Sequence, residues 1–241
     1  MGVTRFRLPD WLPLPGLRAR IGQGIRTLLP GLRIDYGPMN GQPGRQQAIK
    51  DVLREVPVKA ILETGTYLGT TAEFLADASS VPVHSVEANH RFHRYAIKRH
   101  RNDGRIHITL ADSRVGLAAW AADPEVPNED VFFYLDAHWH KDLPLADELR
   151  LIADGWSNSL VLIDDFEVPG DPGYGFDDYG PGKRLCLDYI PAQLRSEWAP
   201  LFPTMRSSDE GGRRRGWVLL VPHSQVESLT GKLPLKHVDW P

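Results

Sequence analysis

From residue 45 onward, short apolar runs of strand-forming residues alternate with segments of helical periodicity. The predicted strands are Val58–Glu63, Val81–Glu87, Ile106–Leu110, Val131–Asp136 and Ser159–Asp164. The predicted helices are Gln46–Glu55, Thr70–Ala78, Arg91–Arg101, Val115–Ala122 and Leu145–Ala153. Repeated strand–helix units of this kind predict a parallel sheet with helices on both faces. We therefore predict an α/β fold with a doubly wound, mostly parallel sheet.

The end of the chain departs from this alternation. We predict a helix near Asp188–Trp198, followed by two apolar runs, Leu201–Arg206 and Gly216–Val221, on either side of a polar, glycine-containing turn. Such a pair is typical of a hairpin, which adds antiparallel strands at one edge of the sheet. The expected total is seven strands.

The chain of 241 residues is long enough for one well-packed domain and an appendage. We assign residues 1–44 to an N-terminal cap and residues 45–241 to the main domain. The cap contains a basic amphipathic segment, Leu17–Leu29. We expect a helix packed over a pocket or at a homodimer seam, and contact with a membrane surface or a partner is the alternative.

Charge and cysteine content limit the partners and the compartment. A net charge of −3 argues against a general nucleic-acid binder. The single cysteine, Cys186, rules out an internal disulfide and suits a reducing compartment. We find no apolar run long enough to cross a bilayer and no secretory signal, so we expect a cytoplasmic protein without a transmembrane segment.

A glycine-marked turn follows the first predicted strand. Glu63, Gly65 and Gly69 lie in this turn, and Thr70 supplies an N-cap for the next helix. Glycine tolerates positive φ and leaves room for a ligand to approach the backbone. The spacing fits neither the Walker loop nor the dinucleotide fingerprint. A nucleotide-like ligand is nevertheless expected here, because open α/β sheets bind such ligands outside the carboxyl ends of their strands.

Acidic residues end five successive strands, and helix capping explains only one or two of them. These residues are Glu63, Glu87, Asp112, Asp136 and the pair Asp164 and Asp165. Glu87 follows Gly65 by 22 residues, an interval suited to a carboxylate that accepts ribose hydroxyls. Three carboxylates at the ends of neighbouring fourth and fifth strands repel one another unless a cation lies among them. Hard oxygen ligands suit Mg²⁺, Ca²⁺ or Mn²⁺.

These motifs resemble those of class I S-adenosylmethionine-dependent methyltransferases, and specifically the catechol O-methyltransferase-like, metal-dependent family. The resemblance covers most of the chain and is carried by Met39-Asn40, Glu63-x-Gly65-x-x-x-Gly69, Leu135-Asp-Ala-His-Trp139 and Ile163-Asp-Asp165. The intervals of 24 residues from Met39 to Glu63 and 28 from Asp136 to Asp164 are also close to those of the family. The resemblance implies a Rossmann-like fold and methyl transfer to a hydroxyl of a small molecule, such as a phenol, a sugar or a natural product.

The resemblance also implies which residues form the site. The cofactor-binding set is Met39, Asn40, Glu63, Gly65, Tyr67, Gly69, Thr70, Glu87, Asp112, Ser113 and Asp136. The metal ligands are Asp136, Asp164 and Asp165, with Mg²⁺, Mn²⁺ or Ca²⁺ as the ion. In this assignment Asp112 and Ser113 hold the adenine, and Met39 to Gly41 cover the cofactor.

Two departures from the family pattern affect the chemistry. The third metal ligand is usually Asn, whereas this chain has Asp165. The family's catalytic Lys lies three residues after the first metal ligand, where this chain has Trp139. The candidates for a general base are Lys141, His140 and His138, and the sequence does not choose among them. A hydroxylase-like member of the same fold and a non-catalytic cofactor-binding member remain alternatives.

Overall fold

The computed structural model describes residues 36–138 and 142–241, and the predicted alternation is present there. The strands are β1 Ala60–Thr64, β2 Val83–Glu87, β3 Ile106–Leu110, β4 Val131–Leu135, β5 Leu160–Asp164, β6 Ala199–Pro203, β7 Trp217–Val221 and β8 Leu235–His237. The α-helices are α1 Pro43–Glu55, α2 Thr70–Ser79, α3 His90–His100, α4 Ser113–Ala122, α5 Leu145–Gly155 and α6 Val226–Lys232.

The strands form an eight-stranded sheet in the order β3-β2-β1-β4-β5-β7-β6-β8. Strands β1 to β5 are mutually parallel, whereas β7 runs antiparallel to β5 and to β6. The doubly wound fold and the terminal hairpin are confirmed. The sheet has one strand more than expected, because the chain continues through α6 into β8, which pairs with β6. The strand order reverses between β1 and β4, which marks the crevice where such sheets bind ligands.

The central strands form a buried platform for that crevice. Every residue of β1, β4 and β5 is buried. Alternate side chains of these strands enter different apolar clusters, because successive residues of a strand point to opposite faces. One cluster includes Leu62, Phe133 and Val161 with helix residues Leu117 and Leu149. The other includes Ile61, Phe132 and Leu162 with Ile49 and Leu75. The packed strands therefore fix the positions of the acidic residues at their carboxyl ends.

The predicted helix Asp188–Trp198 is wrong. This region contains two short 3-10 turns, Leu187–Tyr189 and Ala192–Leu194, separated by Pro191. Proline has no N–H to donate and disfavours a helical conformation in the residue before it. A continuous helix therefore does not form across Pro191.

The basic segment Leu17–Leu29 lies outside the described residues, and the division into a cap of residues 1–44 and a domain of residues 45–241 stays a prediction. Within the ranges that the structure describes, no helix combines the length and the apolar character needed to cross a membrane.

Candidate active site at the carboxyl edge of the sheet

The turn between β1 and α2 brings bare backbone against the end of β4. Gly65, Tyr67 and Gly69 have left-handed conformations, with φ of 89°, 49° and 72°. A Cβ on Gly65 would lie 2.3 Å from the carbonyl oxygen of Asp136, so this position requires glycine. The N–H of Gly65 donates to the carbonyl of Val86 at 2.9 Å, which ties the turn to β2. Helix α2 begins at Thr70, so the unpaired N–H groups of its first turn lie next to the glycines.

Glu63 is buried at the end of β1 with half of its carboxylate unsatisfied. The side chain is only 1% exposed, and the hydroxyl of Ser85 donates to Oε2. Oε1 has no hydrogen-bond partner among the described residues. Burial raises the pKa of Glu63 to about 8; the Ser85 hydrogen bond opposes this shift and the charge of Glu87 adds to it. A buried acceptor without a donor is unfavourable, so a ligand carrying a cationic donor would stabilise this group.

Glu87 lies at the end of β2, beside the glycine turn. Its Oε2 accepts a hydrogen bond from the N–H of Tyr67 at 2.7 Å, and its Oε1 accepts one from the N–H of Asn89 at 2.8 Å. These bonds fix the orientation of the carboxylate. Each oxygen retains a second lone pair, so Glu87 can still accept two hydroxyl donors.

Asp112 and Ser113 lie where β3 meets α4, as predicted. Asp112 caps the helix by accepting the N–H of Arg114 at 3.0 Å. The guanidinium of Arg114 also donates to both oxygens of Asp112, at 2.8 and 2.7 Å, and these bonds lower the pKa of Asp112. Ser113 is buried in the first position of the helix. The carboxylate expected to hold the adenine is therefore ionised and already oriented.

Met39 and Asn40 lie in a strained turn next to α2. Both residues have left-handed backbone conformations, with φ of 51° and 60°. The N–H of Met39 donates to the hydroxyl of Thr71 at 3.3 Å, and the carbonyl of Asn40 accepts the N–H of Arg213 at 3.0 Å. Strained non-glycine residues are frequent at ligand sites, where the surrounding structure holds them in place. The turn thus lies between the start of α2 and the β6–β7 connection.

A buried ion pair occupies the end of β5. The Nη1 of Arg45 donates to Oδ1 of Asp164 at 2.6 Å, and the hydroxyl of Tyr134 donates to Oδ2 at 2.7 Å. Arg45 is fully buried, and Asp164 is 1% exposed. Burial alone would raise the pKa of Asp164, but Arg45 and Tyr134 outweigh it and lower that pKa. Both oxygens of this predicted metal ligand are already hydrogen-bonded within the protein.

A second arginine lies on the other side of the acidic group. The guanidinium of Arg215 donates to Asp165 and to Asp177. The side chain of Arg215 is 13% exposed, so this last residue of the predicted polar turn is largely buried. Burial and the charge of Asp164 raise the pKa of Asp165 to about 7, although Arg215 opposes this shift. We call Asp136, Asp164, Asp165 and Asp177 the acidic cluster.

Asp136 and His138 complete the centre of the site. One ligand atom each from Asp136, His138 and Asp165 lie within 4.8 Å of one another. Partial burial of Asp136, together with the charges of Asp164 and Asp165, raises the pKa of this carboxyl group well above the usual range. Burial lowers the pKa of His138, with Asp164 and Asp177 opposing, so its imidazole is neutral near pH 7. The Nε2 of His138 is buried and has no hydrogen-bond partner among the described residues.

The structure thus brings the predicted residues at the ends of β1 to β5 to one edge of the sheet. The candidate bases His140 and Lys141 lie outside the described residues, so the choice of base stays a prediction. Four further residues at this edge were not predicted from the sequence, namely Arg45, Tyr134, Arg215 and Asp177. The excess of negative charge at one sheet edge was the available signal, because converging carboxylates require cations.

The fold matches solved structures of O-methyltransferases. A protein from Klebsiella pneumoniae assigned as an O-methyltransferase superposes with a TM-score of 0.54 at 16% identity, covering 88% of this chain and 92% of the other. The O-methyltransferase TomG from Streptomyces achromogenes, involved in tomaymycin synthesis and solved in complex with SAM, gives 0.52 at 15% identity, covering 88% and 92%. A protein from Staphylococcus aureus assigned as a caffeoyl-CoA O-methyltransferase gives 0.51 at 14% identity, covering 87% and 92%. No family model and no curated protein matches the sequence.

The chain therefore shares the fold of these O-methyltransferases, one of which was solved with SAM bound. The resemblance drawn from the motifs is confirmed at the level of the fold. At identities of 14 to 16%, the fold is what these proteins share.

Proposed function

We propose that this protein transfers the methyl group of S-adenosylmethionine to a hydroxyl oxygen of a small molecule, with assistance from a divalent metal ion. The observation that carries the cofactor assignment is the unsatisfied, buried Oε1 of Glu63 beside the glycine turn. S-adenosylmethionine carries an ammonium group that would supply the missing donor. Glu87 would accept the ribose hydroxyls, because both of its oxygens are fixed and retain acceptor capacity.

In the proposed reaction, the acceptor oxygen forms a bond to the methyl carbon while the bond from that carbon to the sulfonium sulfur breaks. The sulfur retains the electron pair, so S-adenosylhomocysteine is the second product. The hydroxyl proton must leave the acceptor oxygen, and Lys141, His140 and His138 remain the predicted bases for this step.

The acidic cluster supports the metal assignment. It carries four carboxylates against the two guanidinium groups of Arg45 and Arg215, which leaves two negative charges when all four acids are ionised. Asp136 and Asp165 would hold the ion, since the oxygens of Asp164 are engaged by Arg45 and Tyr134. A bound divalent ion would lower the pKa of an acceptor hydroxyl and hold it in place.

Calorimetric titration with S-adenosylhomocysteine tests the cofactor assignment. We expect binding by the purified full-length protein, and an affinity at least about tenfold lower in Glu87→Ala, because two hydrogen bonds to a charged group are lost. Glu129→Ala is the matched control, since Glu129 is an exposed residue that pairs with Lys59 before β4 begins. No binding by the unmodified protein would contradict the proposed function. Equal binding by all three proteins would contradict the role of Glu87.

A further inference from the structure

A nitrogen atom with no hydrogen-bond partner among the described residues lies next to the acidic cluster. The imidazole side chain of His138 is 2% exposed, and its Nε2 lies 3.8 Å from Oδ1 of Asp136 and 3.9 Å from Oδ2 of Asp177. No described residue forms a hydrogen bond with this Nε2. A buried nitrogen among carboxylates, without a partner of its own, indicates a missing ligand atom or ion.

The arrangement of the neighbouring residues favours an ion at this point. The ligand atoms of Asp136, His138 and Asp165 lie within 4.8 Å of one another. Two ligands about 2.1 Å from a metal ion are about 3 Å apart when adjacent and about 4 Å apart when opposite. Side-chain rotations that shorten the longest of these separations by about 1 Å would bring the three atoms onto a common centre.

Asp164 is poorly suited to the same role. Its Oδ1 accepts the guanidinium of Arg45 and the N–H of Asp165, both at 2.6 Å, and its Oδ2 accepts the hydroxyl of Tyr134. Moving this carboxylate onto a metal ion would leave a fully buried arginine without its partner. Loss of one partner of a buried ion pair is strongly unfavourable.

We propose that His138 is a metal ligand through Nε2, that it acts with Asp136 and Asp165, and that the site selects a first-row transition ion over Mg²⁺ or Ca²⁺. The inference rests on the proposed function only in placing an ion at this edge of the sheet. Imidazole nitrogen binds Fe²⁺, Co²⁺ and Zn²⁺ well, whereas Mg²⁺ and Ca²⁺ take oxygen ligands. Arg215 offsets part of the charge of Asp165 and leaves one of its oxygens without that hydrogen bond.

Titration of the purified full-length protein with Co²⁺ and with Mg²⁺ tests this assignment by calorimetry. We expect Co²⁺ to bind at least about tenfold more tightly than Mg²⁺. His138→Gln should weaken Co²⁺ binding by at least about tenfold and change Mg²⁺ binding much less, since the amide oxygen remains a hard ligand. His84→Gln is the matched control, because this partly buried histidine stacks on His107 at 5.0 Å between ring centroids. Equal effects of His138→Gln on both ions, or no effect on Co²⁺, would overturn the proposal.

A spectroscopic measurement on the unmodified protein covers the case in which His138→Gln does not fold. Electron spin echo envelope modulation of the Mn²⁺-loaded protein should show coupling to an imidazole nitrogen. Absence of nitrogen coupling from bound Mn²⁺ would overturn the histidine assignment. Titration with S-adenosylhomocysteine separates the two proposals. Cofactor binding without nitrogen coupling removes only the histidine ligand, whereas nitrogen coupling without cofactor binding removes only the methyltransferase function.

Discussion

The two halves of the crevice handle buried negative charge in different ways. We call the ends of β1 and β2 the first half. There, the carboxyl groups of Glu63 and Glu87 accept hydrogen bonds from a hydroxyl and from backbone N–H groups. We call the region at the ends of β4 and β5 the second half. There, the acidic cluster is paired with the guanidinium groups of Arg45 and Arg215. Neutral donors orient a carboxyl group without supplying a counter-charge, so burial raises the pKa of Glu63, whereas a guanidinium both orients and neutralises a carboxylate.

This difference suits two kinds of ligand. The first half keeps acceptor capacity for a ligand with an ammonium group and hydroxyls, which is the chemistry of the proposed cofactor. In the second half, the arginines allow a buried Asp164 to lie close to three partly exposed carboxylates, and the remaining negative charge favours a divalent cation. The halves meet at Gly65, whose missing side chain allows contact with the carbonyl of Asp136.

The largest expected effect comes from removing the buried cation of the second half. Arg45→Ala should lower the free energy of unfolding by about 3 to 5 kcal/mol, because Asp164 would remain buried without its counterion. Arg54→Ala on the same helix is the control. The side chain of Arg54 is 65% exposed and pairs with Asp51, so its loss should change stability by less than about 1 kcal/mol. Urea unfolding of the two variants measures both values.

Similar losses in Arg45→Ala and Arg54→Ala would contradict the view that the second half depends on a preformed ion pair. A large loss in Arg45→Ala, with binding of S-adenosylhomocysteine retained under native conditions, would sharpen the division. It would show that the ion pair supports the acidic cluster and is not needed for the first half.

A smaller effect is expected where the halves meet. Gly65→Ala should destabilise the protein by about 1 to 3 kcal/mol, since φ is 89° and the new Cβ would lie 2.3 Å from a carbonyl oxygen. Gly104→Ala is the control, because no atom lies within 4 Å of a Cβ at that position. Thermal unfolding with and without S-adenosylhomocysteine would show whether cofactor binding is lost together with stability. Equal stability of the two variants would contradict close packing at Gly65.

The sequence predicted the parallel part of the molecule well, for a physical reason. Strands β1, β4 and β5 are buried throughout and stand out as mainly apolar runs, whereas β2 and β3 carry polar residues among strand-forming ones. All five could be located to within about two residues. Because the carboxyl ends of parallel strands meet at one edge of the sheet, the acidic residues that follow these strands were also predicted to lie together there. The prediction failed at Asp188–Trp198, where helix-compatible residues surround Pro191 and the proline decides the structure.

The pairing within the site could not be predicted from local pattern. Arg45 and Asp164 are separated by 119 residues, and Arg215 and Asp165 by 50. Only the packing of α1 and of the β6–β7 connection against the sheet edge brings these charges together. An arginine in a helical pattern resembles any solvated residue, so burial of Arg45 became evident only in three dimensions.

The smallest expected effect is a change in how the free energy of unfolding depends on pH, and it concerns Glu63 in the first half. Burial raises the pKa of Glu63 to about 8, above its ordinary value of 4.5. Between these values the folded protein holds a proton that the unfolded chain releases, so stability falls as pH rises from about 4.5 to about 8. Each group of this kind contributes at most about 1.4 kcal/mol per pH unit. The pKa of Asp165 is also raised, so Asp165 contributes to the same decline in stability. The contribution of Glu63 must therefore be measured as the difference in pH dependence between the unmodified protein and a variant.

Glu63→Gln provides that difference, because it keeps the shape of the side chain and removes its titration. We expect urea unfolding at a series of pH values to show a shallower decline in stability for Glu63→Gln than for the unmodified protein. Saturating S-adenosylhomocysteine should reduce the decline in the unmodified protein, since its ammonium group would stabilise ionised Glu63 and lower the folded-state pKa. Identical slopes in the two proteins would show that Glu63 does not titrate in this range. The contrast between an unneutralised first half and a paired second half would then be wrong.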